Sequence, residues 1–275
     1  MFTQDEIDLI KTLYTEEHFS LAELGRQFNC SPTTIKNLLL RYNIHIRTRG
    51  EQTHYTNMQR SKSCDDNYFS NIDTYNKAWV LGFLMADGSI TPNRNCIKIA
   101  LSTRDKHILE DIKKELKIER NVKDSLTNNG FEVSALAWSS LQQKTDLAKY
   151  GIVPQKTYKE CHLPRFDDKK YTLAFILGFM DGDGSISVSK EGYLRLRFCG
   201  YRDELLKDIR DFLYQEYQIH YSLSKDPHRQ MHELCISTIY ADPILKDMYN
   251  LNTICLKRKH QKYLEYKAFH ESPAS

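Results

Sequence analysis

The 275-residue chain has no apolar run long enough to cross a bilayer. Its first residues, MFTQDEID, are acidic where an export signal would be basic and then apolar, so no secretory signal is expected there. Seven cysteines are present but never as CxxC, and their wide, irregular spacings argue against structural zinc and against a disulfide framework. A reducing compartment, the cytoplasm, is therefore expected. Low-complexity tracts and disorder-type composition are also missing, and 40% hydrophobic residues can fill real cores. At this length two domains are expected, with room for a small third. A large charge excess is absent too, since the net charge is only +3 and says little about partners.

What the chain does have is a phrase written twice. Trp79 to Ile90 reads WVLGFLMADGSI, and Phe175 to Ile186 reads FILGFMDGDGSI, with seven of twelve aligned pairs identical at a separation of 96 positions. The apolar stretch of each copy predicts a buried helix. Small residues recur four apart, Gly82 with Ala86 and Gly178 with Gly182, and so share a helix face. Glycine inside a helix costs about 1 kcal/mol against alanine, so these positions want a packing reason. Two motif helices packed through these faces would bring Asp87 and Asp183 together at their C-terminal ends. Helix dipoles and mutual repulsion make that place poor for two carboxylates, and a divalent cation reverses the problem. Hard oxygen ligands suit Mg²⁺, and such a site suits in-line displacement at phosphorus. A turn after a core helix would explain either copy alone, but not the repeated apolar spelling upstream. A calcium loop starting at Asp181 fails on spacing, with Ile186 at the sixth position and Gly192 at the twelfth.

The paired phrases resemble the motifs of the LAGLIDADG homing endonucleases in their single-chain, two-repeat form, over about Asn76 to Ala268. The resemblance implies an α+β fold of two pseudo-symmetric αββαββα halves, whose strands form a saddle over DNA. It implies that the last acid of each motif, Asp87 and Asp183, binds divalent metal, with Gly88 and Gly184 completing the metal-binding set. It also implies a basic residue steadying charge around the scissile phosphate. Lys156 in YGIVPQKT and Lys259 in CLKRKHQKY take that role, with Lys257 an open alternative to Lys259. Met85 stands where Asp181 fills the second copy, which implies unequal halves. His107, His162 and His260 could act as bases, but nothing in their spacing compels it.

The N-terminal segment divides by charge. Met1 to Glu23 holds six acids and one base, whereas Leu24 to Arg60 holds six bases and one acid. A segregated basic face is the footprint of phosphate contact. Helical spacing over Gln4 to Thr15, a capping box at Ser20 and Glu23, and Ser31 before Pro32 predict three short helices in a helix-turn-helix. Thr33, Thr34, Lys36 and Asn37 would face the major groove, and Arg47 and Arg49 would run along a groove or backbone. Such a domain favours a bacterial or phage setting, with an organellar one open. The expected domains are 1–50 helix-turn-helix, 51–75 linker, 76–165 first repeat and 166–270 second repeat, the polar stretch Thr53 to Lys77 serving as linker.

After each motif, period-two patterns predict strand pairs. In CIKIALS, Lys98 faces outward. In SISVS and YLRLRFC, Ser187, Ser189, Arg195 and Arg197 face outward, side chains suited to phosphates and base edges. Helices in DKHILEDIKKEL and DELLKDIRDFL follow. Hairpins near Asn128-Asn129-Gly130 and Asp226-Pro227-His228, then strands SALAWSS and ELCISTI, complete each sheet. The expected activity is Mg²⁺-dependent double-strand cleavage of a long pseudo-symmetric DNA site by a monomer. A non-cleaving DNA-binding regulator and an RNA maturase remain alternatives. Retention of both motif acids favours the enzyme. The ending AFHESPAS lacks the His-Asn of a splicing domain, so an intein is not expected.

Overall fold

The computed structural model describes residues 2–53, 55, 64–226 and 231–271. The chain divides into two units, residues 1–62 and 63–275.

The first unit contains α1 (Gln4–Thr15), α2 (Leu21–Gln27) and α3 (Pro32–Arg41). The starts are written in the sequence. Thr3 with Glu6 and Ser20 with Glu23 form capping boxes, and the Ser31 hydroxyl accepts from the Thr34 amide ahead of Pro32. Ile10, Tyr14, Leu24, Ile35 and Leu39 make a separate small core. Between α2 and α3 the chain turns at Asn29, with φ 52°, beside Gly25. A Cβ on Gly25 would stand 2.7 Å from the Cys30 carbonyl oxygen, so the turn closes tightly only over glycine.

The second unit is built twice over. The first half runs α4 (Tyr75–Asp87), β1 (Gly88–Ile90), β2 (Cys96–Ser102), α5 (Lys106–Glu115), β3 (Lys123–Leu126), β4 (Glu132–Ser139) and α6 (Leu141–Lys149). The second runs α7 (Lys169–Asp183), β5 (Gly184–Val188), β6 (Leu194–Gly200), α8 (Glu204–Tyr217), β7 (Ser224–Asp226), β8 (Met231–Ser237) and α9 (Thr238–Tyr249). Each half holds one antiparallel four-stranded sheet, in the orders β1-β2-β4-β3 and β5-β6-β8-β7. This is the expected α+β duplication. A final helix, α10 (Lys257–Glu271), follows the second half; after the first, Lys156–Tyr158 forms only a single 3₁₀ turn. No described helix is long and apolar enough to cross a membrane.

Alternation sorts the sheet residues as the period-two pattern requires. Ile97 and Ile99 of β2 and Leu194, Leu196 and Phe198 of β6 are buried, while Lys98, Arg195 and Arg197 are exposed. One core runs through both halves.

Three expectations need correcting. Of the stretch read as linker, residues 54 and 56–63 lie outside the described residues, but the part from Cys64 onward is packed. Cys64, Tyr68 and Phe69 are buried in the main core. Polar ties hold them: the Gln143 amide donates to the Asp65 carbonyl at 2.6 Å, and the Ser70 hydroxyl to Asp146 at 2.8 Å. A few aromatics within a polar stretch are enough to anchor it. Second, Thr238 and Ile239, read as the end of strand ELCISTI, begin α9 instead. Third, Arg47 does not extend outward: its guanidinium lies 4.0 Å over the Tyr14 ring and donates to the Phe19 carbonyl. Cation–π attraction and that hydrogen bond outweigh hydration here. The hairpin expected at Asp226-Pro227-His228 forms, β7 and β8 pairing antiparallel from Asp226 with Met231, while its tip, residues 227–230, lies outside those described.

Candidate active site

The motif helices α4 and α7 meet back to back, and glycine sets how close they come. A Cβ on Gly82 would lie 1.9 Å from the Phe175 carbonyl oxygen, and one on Gly178 would lie 2.0 Å from that of Trp79. The two contacts exchange under a two-fold rotation, since Trp79 and Phe175, like Gly82 and Gly178, are 96 positions apart. The backbones therefore touch across a pseudo-dyad where no side chain fits. One turn on, Gly182 faces Ala86, and a Cβ on it would also approach the Asp87 carboxylate, at 3.2 Å.

Both helices end at their motif acid. The following glycine turns into extended backbone, its amide donating to Leu84 in one case and Met180 in the other. Gly88 and Gly184 then pair with Ile99 and Phe198 as the first residues of β1 and β5. The dyad thus carries both acids to the same end of the helix pair. Asp87 is half-buried; Asp183 opens to solvent, although protein crowds around it. Burial first, and the neighbouring Asp183 charge second, push the Asp87 carboxyl up to about 6. Burial likewise raises Asp183.

Two lysines answer these acids. Lys156 is half-buried and donates to the Ala86 carbonyl at 2.9 Å. Lys259 is 2% exposed, and its ammonium donates to the carbonyls of Met180, Asp181 and Gly184 at 2.5, 2.8 and 2.6 Å. Burial pulls both ammonium groups downward, Lys259 to about 8; the charges of Asp183 and Asp87 oppose the change at Lys156, and those of Asp181, then Asp87 and Asp183, oppose it at Lys259. Lys259 thereby places a cation on the C-terminal carbonyls of α7, the favourable end for positive charge. The Gly184 carbonyl is occupied in this way, so in the second half the glycine of the expected metal set already has a partner. Lys257, the alternative, is exposed and lies near His107 instead.

The remaining expected residues are spread more widely. On the second sheet, Ser187 pairs with Arg195 and Ser185 with Arg197 in register, all four exposed, and Arg197 reaches Glu233 at 3.8 Å. Ser189 is exposed at the end of that hairpin, and on the first sheet Lys98 pairs with Ser89. In the first unit Thr33, Thr34, Lys36 and Asn37 are exposed along α3, Thr34 also bonding Ser31, and Arg49 is exposed beyond it. Of the histidines, His162 bonds Asp208 and Glu160, His260 stacks on Tyr249, and His107 has a buried Nε2 with no hydrogen-bond partner among the described residues.

Two features escaped the sequence reading. Asp181 is 1% exposed; its Oδ2 accepts from the Trp79 indole N–H and from the Leu256 amide, both at 3.0 Å. Asp105 is buried and receives the Arg258 Nε–H on both oxygens at 3.1 Å. The acid at Asp181 was visible, but its partners lie 102 and 75 residues away, beyond any local pattern.

A family profile described as a LAGLIDADG-like domain matches residues 74–144 and 170–247, once per half and over more than half of the chain. Among curated proteins none matches. Among solved structures, the I-LtrWI LAGLIDADG homing endonuclease bound to target DNA is 14% identical, at a TM-score of 0.48, with 72% of this chain and 91% of that chain covered. The homing endonuclease I-WcaI bound to its DNA recognition sequence is 10% identical, at 0.47, with 70% and 90% covered. Full-length DUF199/WhiA from Thermatoga maritima is 13% identical, at 0.43, with 77% and 66% covered.

Proposed function

This chain belongs to the LAGLIDADG-like domain family, and on that footing we propose that it is a site-specific DNA endonuclease that cuts both strands of a duplex. One observation carries the reading: Asp87 and Asp183 sit at the same end of a dyad-related helix pair, each within the field of the other's lysine. A binding scaffold has no need of paired carboxylates whose charges burial and repulsion disfavour.

The donor set fits a hard divalent cation such as Mg²⁺. Asp87 and Asp183 supply carboxylate oxygen, and the burial that raises both carboxyls is a cost that a bound cation offsets. When bound, such ions supply Lewis-acid activation at phosphorus. The chain's own residues do the rest. Asp87 and Asp183 hold one charge centre for each strand. Lys156 and Lys259 bring fixed positive charge beside them, where a phosphodiester gains negative charge as it reacts. The exposed Lys98, Ser187, Ser189, Arg195 and Arg197 offer donors to phosphates and base edges.

The N-terminal helical unit acts as a helix-turn-helix, α3 presenting Thr33, Thr34, Lys36 and Asn37 to the major groove, with Arg49 reaching phosphate. The protein works as a monomer, because one chain supplies both halves, and its target is long and pseudo-symmetric. Incubation with a random duplex library and Mg²⁺, followed by capture of newly made ends, tests this. Recovery of one long sequence motif supports the endonuclease. Binding of a defined motif without cleavage, under any divalent metal, supports a regulator instead.

A further inference from the structure

The two lysines are held in different ways, Lys259 within α10 and Lys156 in a single 3₁₀ turn, and one pair of residues in the motif helices has no counterpart across the dyad. Across the pseudo-dyad, Trp79 corresponds to Phe175 and Asp181 to Met85. Trp79 and Asp181 form a polar contact through the indole N–H; Phe175 and Met85 have neither the donor nor the carboxylate to repeat it. The lock therefore exists on one side of the helix pair. Its second bond, from the Leu256 amide, fixes the residue directly before α10. Three positions later Lys259 enters the carbonyl cluster at the end of α7.

Other ties bear on the same segment. The Ile254 amide donates to Asn76 Oδ1 at 3.1 Å, and Arg258 grips Asp105. Both reach into the first half. Among the described residues, Asp181 is the carboxylate that joins this turn to the helix bearing Asp183. Its Oδ1 is buried with no hydrogen-bond partner among the described residues, an arrangement costly for a group whose task is only to fill space. On the first side, Lys156 rests on a short turn, its ammonium bonded among the described residues to the Ala86 carbonyl alone, and it lines a small cavity together with Met85.

We propose that Asp181 is a positioning residue for Lys259: its carboxylate pins the entry of α10 and so presses the ammonium onto the carbonyls behind Asp183. The inference rests on the endonuclease reading for its catalytic consequence, but its structural core is independent of it.

The test uses the full chain with Asp181→Met, which copies the first motif, Asp181→Asn as a near-isosteric variant, and Trp79→Phe, which removes the indole donor but leaves the Leu256 bond. Reductive methylation with formaldehyde and a borane, read by peptide mass spectrometry, reports the exposure of Lys259 whether or not the protein cuts DNA. In the wild type Lys259 should react at least about tenfold more slowly than exposed Lys257, since it must wait for local opening. In Asp181→Met the gap should close to within about twofold, with Asp181→Asn between and Trp79→Phe unchanged. Cleavage by Asp181→Met should then slow about tenfold in kcat with KM for DNA within about twofold, because geometry rather than binding is lost. If Asp181→Met does not fold, the labelling of Asp181→Asn decides. Wild-type protection of Lys259 in a folded Asp181 variant overturns the proposal. Absence of cleavage by the wild type counts against the endonuclease instead and leaves the labelling result to stand on its own.

Discussion

At the scale of single residues, the site is defined by charges that the fold holds where they are least comfortable. Asp87 binds its proton more tightly in the folded protein than an ordinary carboxyl, at about 6. Its contribution to stability is thus full below the ordinary carboxylate range, near pH 4, and is lost as pH rises through about 6. In metal-free buffer, Asp87→Asn should melt higher than the wild type at pH 7, by the equivalent of about 1–2 kcal/mol after allowance for solvent screening. That advantage should vanish near pH 4, which thermal melts across the range will show. Mg²⁺ should raise the melting temperature of the wild type at pH 7 and do much less for Asp87→Asn. A uniform shift of both proteins by the metal would mean that Asp87 does not hold it.

At the scale of elements, the glycines of α4 and α7 decide whether the acids meet at all. Gly82→Ala would drive a methyl into the Phe175 carbonyl across the helix pair, and the backbone there has no room to retreat. A loss on the order of 3 kcal/mol or more is expected by chemical denaturation, with both motif acids displaced. An Ala substitution at exposed Gly50, where the nearest atom stands 3.9 Å away, serves as the mild control. The helices and strands themselves were legible in the sequence. Ser20 and Ser31 announced caps, and alternating Ile97, Lys98 and Ile99 announced a half-buried strand. The repeat announced the helix pair, because Gly82 and Gly178 had no local reason to be small. What was not legible depended on partners far along the chain. Arg47 folds onto Tyr14, Phe69 buries a stretch of polar spelling, and Asp181 meets Leu256, none of which periodicity can register. The duplication marked the two acids, whereas Lys156 and Lys259 were named only through the family resemblance, and Lys259 is told from Lys257 by which of them turns inward.

At the scale of the whole molecule, the chain combines a small helical unit having its own core with a duplicated α+β unit that contains both acids and both lysines. Deleting residues 1–62 should therefore weaken DNA binding and flatten its dependence on salt, in proportion to the phosphate charges that the small unit neutralises, yet leave the cutting reaction in place. Affinity measured at several salt concentrations, together with single-turnover cleavage at saturating protein, separates those effects. A truncated protein that stays folded but cuts nothing would show that the small unit takes part in the chemistry. The central claim is that the two motif carboxylates act as a pair on the two strands. Its most direct test is cleavage of a selected target duplex by Asp87→Asn and by Asp183→Asn, with binding followed in parallel. The account predicts that each variant binds nearly as well as the wild type and makes no double-strand break. Wild-type rates of double-strand cutting by either variant would contradict it.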